Sequence, residues 1–112
     1  MDYMKILPER LLKRRVSMES LGVMEAAWHY EDAMEAIDII AQEDIVILGG
    51  DVLVANSDLL QYTYDSWYMS DDLLVKENCR NISIEKAREY INWYLAKFGQ
   101  GFLYSLVCAE YK

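Results

Sequence analysis

Three features of the sequence predict an α+β fold, a small antiparallel sheet of about three to four strands packed against helices. Residues 31–43 place Ala33, Met34, Ile37, Ile40 and Ala41 on one stripe at helical spacing. Residues 45–54 form a nearly continuous apolar run, and residues 60–67 return as a second β-rich run after the turn formers of residues 55–58. Residues 84–98 carry the strongest helical pattern, and apolar, β-prone residues 102–110 follow it. The chain of 112 residues reads as a single domain spanning residues 1–112, with no linker, repeat or low-complexity segment. At that size the core is modest.

Each element has a local reason. Pro8 suits the first turn of a short helix over residues 9–15, where its missing N–H has no helical partner. Leu11 and Leu12 would face inward, and Arg14 and Arg15 suit the negative helix end. Residues 17–27 read as an irregular connector, because Ser17, Ser20 and Gly22 favour a turn. The only histidine, His29, stands between Trp28 and Tyr30 and reads as a packed or half-exposed side chain. In the helix over residues 31–43, Glu31, Asp32 and Glu35 suit the positive end of the dipole, while Asp38, Gln42 and Glu43 face water.

Within the run that follows, Gly49 and Gly50 weaken a strand interior and mark a bulge, a bend or a close approach of another group. The economical topology for residues 45–67 is a hairpin. Ser70, Asp71 and Asp72 cap a short segment over residues 73–77, and residues 78–81 read as loop. Ser83 serves as N-cap of the last helix, whose inner face carries Ile84, Ala87, Ile91, Tyr94, Leu95 and Phe98. Lys97 and Gly99 mark its end, with a left-handed cap expected at the glycine. Residues 102–110, apolar on both faces, read as a central strand covered by helix on one side.

The formal net charge is −8, and its distribution is uneven. Residues 16–75 contain thirteen acids and no lysine or arginine. Such a field steers a basic partner and repels phosphates, so direct nucleic-acid binding is disfavoured. No apolar run reaches the roughly 18 residues of a membrane span. Nothing at the start resembles a signal peptide, and Cys79 and Cys108 read as two reduced thiols, so the expected location is the cytoplasm. One histidine and two scattered cysteines make no zinc site. No nucleophile elbow, calcium loop or phosphate cradle is present, so neither a catalytic residue nor a cofactor is assigned. Asp51 and Asp65 are the best enzymatic candidates, as a carboxylate pair that binds a metal or acts as acid and base. Trp67 and Tyr68, with acids around them, read either as a binding hot spot with a polar rim or as cross-strand aromatic packing that stabilises the hairpin.

The acidic helix, Ile47-Leu-Gly-Gly-Asp-Val52, Tyr64-Asp-Ser-Trp-Tyr68 and the helix bearing Glu85-Lys-Ala-Arg-Glu-Tyr90 together resemble the bacterial immunity protein 40 family, over roughly residues 20–107. Ser66 stands where the family pattern favours asparagine. The resemblance implies a small cytosolic α+β protein of polymorphic toxin systems, including contact-dependent inhibition. It implies an antitoxin, not an enzyme, that binds the C-terminal domain of a cognate toxin, for instance a nuclease with a basic cleft. The expected contact residues are Glu31, Asp32, Glu35, Asp38, Asp51, Asp65, Trp67 and Tyr68. The competing readings are a metal-dependent enzyme using Asp51 and Asp65 and an acidic adaptor with a different basic partner.

Overall fold

The computed structural model describes residues 1–57 and 59–111. Its elements run as a 3-10 turn at Tyr3–Ile6, α1 (Glu9–Leu12), β1 (Val16–Ser17), a 3-10 turn at Glu19–Leu21, β2 (Ala26–His29), α2 (Tyr30–Ile40), β3 (Ile45–Asn56), β4 (Leu59–Tyr68), α3 (Asp71–Leu74), α4 (Cys79–Phe98), β5 (Phe102–Ser105) and β6 (Val107–Glu110). The fold is α+β, and all described strand pairs are antiparallel.

β3 is the spine of the sheet. β4 lies along one edge of it, and β5 and β6 lie end to end along the other. From β5 the sheet continues through β2 to β1, which makes six strands among the described residues. That exceeds the expected three or four. β1 and β2 arise from residues assigned to an irregular connector, and they are too short, at two and four residues, to show periodicity. Pairing of Val16 with Ala27 and of Trp28 with Tyr104 is what makes them strands. The last apolar run is interrupted at Leu106. Its first half, β5, is interior between β2 and β3 as expected, whereas β6 pairs with β3 alone.

The expected hairpin is present as β3 and β4, with Asn56 paired to Leu59. Ser57 in its turn has φ +57°, and Asp58, expected in the same connection, lies outside the described residues. Alternation along β3 sends side chains to two cores. Ile45, Ile47 and Val52 join Trp28, Tyr104 and the inner faces of α2 and α4 in the main core, and Trp28 Nε1 donates to the Tyr3 hydroxyl at 2.8 Å. Leu53, on the opposite face, joins Met18, Ala27, Leu60 and Leu103 under the segment that contains β1. Each such fully buried Leu or Ile contributes about 1.5–3 kcal/mol relative to an exposed one. A third cluster joins Val46 to Met69 and Cys79.

α4 begins at Cys79, inside the expected loop, and Ser83 is not its cap. The Ser83 side chain is fully buried; its hydroxyl accepts from the Ile47 N–H at 3.0 Å and donates to the Arg80 carbonyl at 2.8 Å. The reason lies in the sheet. β4 ends opposite Gly49, so the first residues of β3 have no strand along that edge, and α4 supplies the missing acceptor. Gly99 has φ +83° and ψ −170°, which is a glycine conformation but not the left-handed helical cap expected there, and its N–H donates to the Leu95 carbonyl. Among the described residues, no helix is long and apolar enough to cross a membrane.

Ser83→Ala leaves the Ile47 N–H buried without an acceptor and is expected to cost about 1–3 kcal/mol in urea denaturation; a change within error of zero would show that this bond is dispensable. Burial pushes the Cys108 thiol and the Tyr104 phenol each up to about 12, from ordinary values of 9.0 and 10.0. Both are then protonated in the folded chain while the unfolded chain ionises. Their stabilising effect is complete below about pH 9 and is lost as pH rises toward 12, so the melting temperature should fall across that window. A flat profile from pH 8 to 11 would contradict this burial.

Candidate functional site

The two sequence motifs meet across β3 and β4. Gly49 is paired with Tyr68, Gly50 with Trp67 and Asp51 with Ser66. A methyl group at Gly50 would overlap the Ser105 carbonyl on one side and the six-membered ring of Trp67 on the other. At Gly49 it would overlap the Trp67 carbonyl. The glycines therefore answer the close-approach expectation: they let the Trp67 ring lie across β3. Trp67 is only 5% exposed and stacks on Tyr90 of α4 with ring centroids 5.1 Å apart. The expectation of a surface-borne Trp67 is corrected on this point, since the empty volume over Gly50 draws the indole inward.

Directly opposed residues share a face, so Tyr68, Asp51 and Ser66 lie on the face opposite Trp67, together with the paired Leu53 and Tyr62. Tyr68 is 71% exposed, Asp51 is half-buried and Ser66 is exposed. The Asp51 N–H donates to Ser105 Oγ at 2.9 Å. Burial raises the Tyr62 phenol, and the charges of Asp51 and Glu25 push it the same way.

Between these pairs β4 bulges. Asp51 opposes Ser66 and Leu53 opposes Tyr62, so Thr63, Tyr64 and Asp65 all stand across from Val52. Thr63 Oγ1 donates to the Val52 carbonyl at 2.9 Å and accepts from the Asp65 N–H at 3.1 Å. The bulge turns the Asp65 carboxylate toward α4, where Oδ2 accepts from the Tyr94 hydroxyl at 2.8 Å. Asp65 thus points to the helix side while Asp51 lies on the opposite face. The structure does not bring the two carboxylates together, and among the described residues no group of three or more His, Cys, Asp or Glu could hold a metal. Tyr64, at the crest, has φ +70° and is 90% exposed. The sequence sets Tyr62 and Tyr64 close to Trp67 and Tyr68, but strict alternation does not reveal the bulge that projects Tyr64.

The acids of α2 are in a different situation. Asp32 pairs with Arg14 at 2.9 Å, Glu35 with Arg10 and Arg14, and Asp38 with Arg88 at 2.6 Å. Asp44 pairs with Arg80 at 3.0 Å. The hydrogen bond from Arg10 holds the Glu35 carboxyl below the usual carboxylate range. The stretch that lacks cations in sequence therefore regains them in space, from the N-terminal segment and from α4. Of the expected α2 contact residues, Glu31 alone is absent from these ion pairs among the described residues. It lines a cleft of about 670 Å³ with Arg14, His29, Asp32, Glu35 and Phe102, and His29 is exposed there rather than packed.

Packing at Gly50 predicts a large effect of a small change. Gly50→Ala should destabilise by more than about 3 kcal/mol or leave the chain insoluble, because both obstacles are in the packed interior. Trp67→Ala should cost about 3–5 kcal/mol. Urea denaturation of a soluble Gly50→Ala variant within 1 kcal/mol of the parent would show that the two strands are not seated as described.

A family model described as Immunity protein 40 matches residues 17–108, nearly the whole chain. No match to a curated protein or to a solved structure was found. The matched span includes both motifs, the bulge between them and the α4 residues on which Trp67 and Asp65 rest. The chain belongs to the Immunity protein 40 family.

Proposed function

We propose that this protein is an antitoxin that binds the C-terminal domain of a cognate bacterial toxin and occludes its active site with the β3–β4 hairpin. The observation that carries this reading is the pairing of exposed tyrosines with acids that no cation offsets. Among the described residues, neither Asp51 nor Asp65 forms an ion pair; Tyr68 stands exposed on the face of Asp51, and Tyr64 stands exposed next to Asp65 at the crest of the bulge. Aromatic anchors with a charged rim supply affinity and orientation, while the charge speeds encounter. The complementary partner is a protein with a basic cleft. A nuclease is such a partner, because its cleft is built to hold phosphates. Protection of the producing cell places the action in the cytoplasm.

This emphasis differs from one resting on α2. The acids Asp32, Glu35 and Asp38 already have arginine partners, so their field is largely cancelled close by, and Glu31 remains as the contribution of that helix. Trp67 supports the face from beneath. Metal-dependent catalysis requires Asp51 and Asp65 to converge on one ion, and they point to opposite sides of the sheet. An acidic adaptor would use the same face for another basic protein, and the test separates the two.

Co-expression with the C-terminal domain of the cognate toxin should rescue growth, whereas an unrelated toxin domain should still kill. Loss of rescue with the cognate domain would remove the reading. The association rate should fall about tenfold or more between low and high salt, and Asp51→Lys should lower it at low salt without changing the melting temperature. An association rate insensitive to salt would remove the electrostatic part of the proposal.

A further inference from the structure

We infer that Tyr64 is the anchor of the binding face, and that its ring seats in an apolar pocket of a protein partner whose rim carries lysine or arginine. The inference rests on the antitoxin reading and adds the residue and the pocket chemistry to it. The argument begins with the backbone. Tyr64 occupies φ +70°, a region that a side chain with a Cβ enters against steric opposition and that glycine or asparagine enters more easily. No burial of the ring offsets that cost, since 90% of Tyr64 faces solvent.

A bulge on an edge strand has a structural use of its own, because it blunts the edge against pairing with other chains. That use explains the bulge and not the tyrosine, for glycine would bulge the strand equally well. A large aromatic held in a disfavoured conformation and left in water points to a role outside the molecule. The surroundings hold it firmly. Thr63 Oγ1 bonds both the Val52 carbonyl and the Asp65 N–H, and Tyr94 of α4 bonds the Asp65 carboxylate. The residues on both sides of Tyr64 are thereby fixed before any partner arrives, which lowers the ordering cost of binding. Tyr62 lies beside it, with ring centroids 6.4 Å apart.

The charge around the ring selects the occupant. Asp65 adjoins Tyr64 in the chain, Asp51 shares the sheet face of Tyr62, and the charges of Asp51 and Glu25 both raise the Tyr62 phenol. The elements that form the face carry no lysine or arginine, since residues 16–75 contain none. A second copy of this chain would bring its own Asp51 and Asp65 to the contact, on a molecule of net charge −8. A basic rim around an apolar pocket answers the same face with attraction.

The test uses the full chain and the cognate toxin C-terminal domain, with calorimetric titration of the parent, Tyr64→Gly, Tyr64→Ala and Tyr64→Phe. Tyr64→Gly relieves the backbone, so its melting temperature should equal or exceed that of the parent, while its Kd rises about 30-fold or more, as expected for a hot-spot anchor. Tyr64→Ala should lose affinity to a similar degree, and Tyr64→Phe should retain most of it. Parent-like affinity of Tyr64→Gly, with the parent binding tightly, overturns this inference and leaves the antitoxin reading intact. Failure of the parent to bind overturns both. Concentration-dependent self-association that Tyr64→Gly abolishes overturns the assignment of a basic partner in favour of a second copy.

Discussion

The volume left empty by the missing side chain of Gly50 governs how three strands and a helix come together. On one side the Ser105 carbonyl lies where a Cβ would be, so the β3 and β5 backbones are locked at that level. On the other side the Trp67 ring occupies the opening, and its stacking on Tyr90 ties β4 to α4. From Tyr90 the aromatic packing continues to Tyr94, and from there to Phe102 and Tyr104 of β5, which closes a circuit back to the sheet. The two motifs separated in sequence are thus halves of one packing unit.

The same unit sets up the outer face. With Trp67 drawn inward, strand alternation sends Ser66 and Tyr68 outward beside Asp51. The bulge then breaks that alternation where it matters, turning Asp65 toward Tyr94 and lifting Tyr64 into solvent. Burial raises the Tyr94 phenol, and its bond to Asp65 acts in the same direction, so the hydroxyl remains a donor throughout the neutral range. The helix that fills the core therefore also steadies the surface. A positive φ at a non-glycine residue costs on the order of 1–2 kcal/mol, a sum tolerable only where the neighbouring contacts are well made.

Charge behaves differently in the chain and in the fold. Along the sequence, acids from residue 16 to residue 75 stand unopposed. In space, Arg10 and Arg14 reach α2 from the N-terminal segment, and Arg80 and Arg88 reach Asp44 and Asp38 from α4. Exposed pairs of this kind add little stability, but they reshape the field. They offset Asp32, Glu35 and Asp38 close by, whereas Asp51 and Asp65 of the hairpin have no ion-pair partner among the described residues.

What the sequence determined by itself is whatever short-range periodicity encodes. The helical stripe of α2, the apolar run of β3 with its return as β4, the C-terminal end of α4 and the close approach at Gly49 and Gly50 were all legible, because each follows from residues within a few positions of one another. The motifs carried the family as well. Tertiary structure alone decided the rest, for a common reason: the deciding partner lies far away in the chain. β1 and β2 become strands through pairing that ends on β5, and Ser83 becomes an internal acceptor because Ile47 lacks a neighbouring strand. Trp67 is buried because Tyr90 and Gly50 meet it, the α2 acids are neutralised by arginines from both flanks, and Tyr64 is raised by a bulge that composition does not mark. Local pattern specifies which residues can face inward or outward, and only long-range contacts select which of them do.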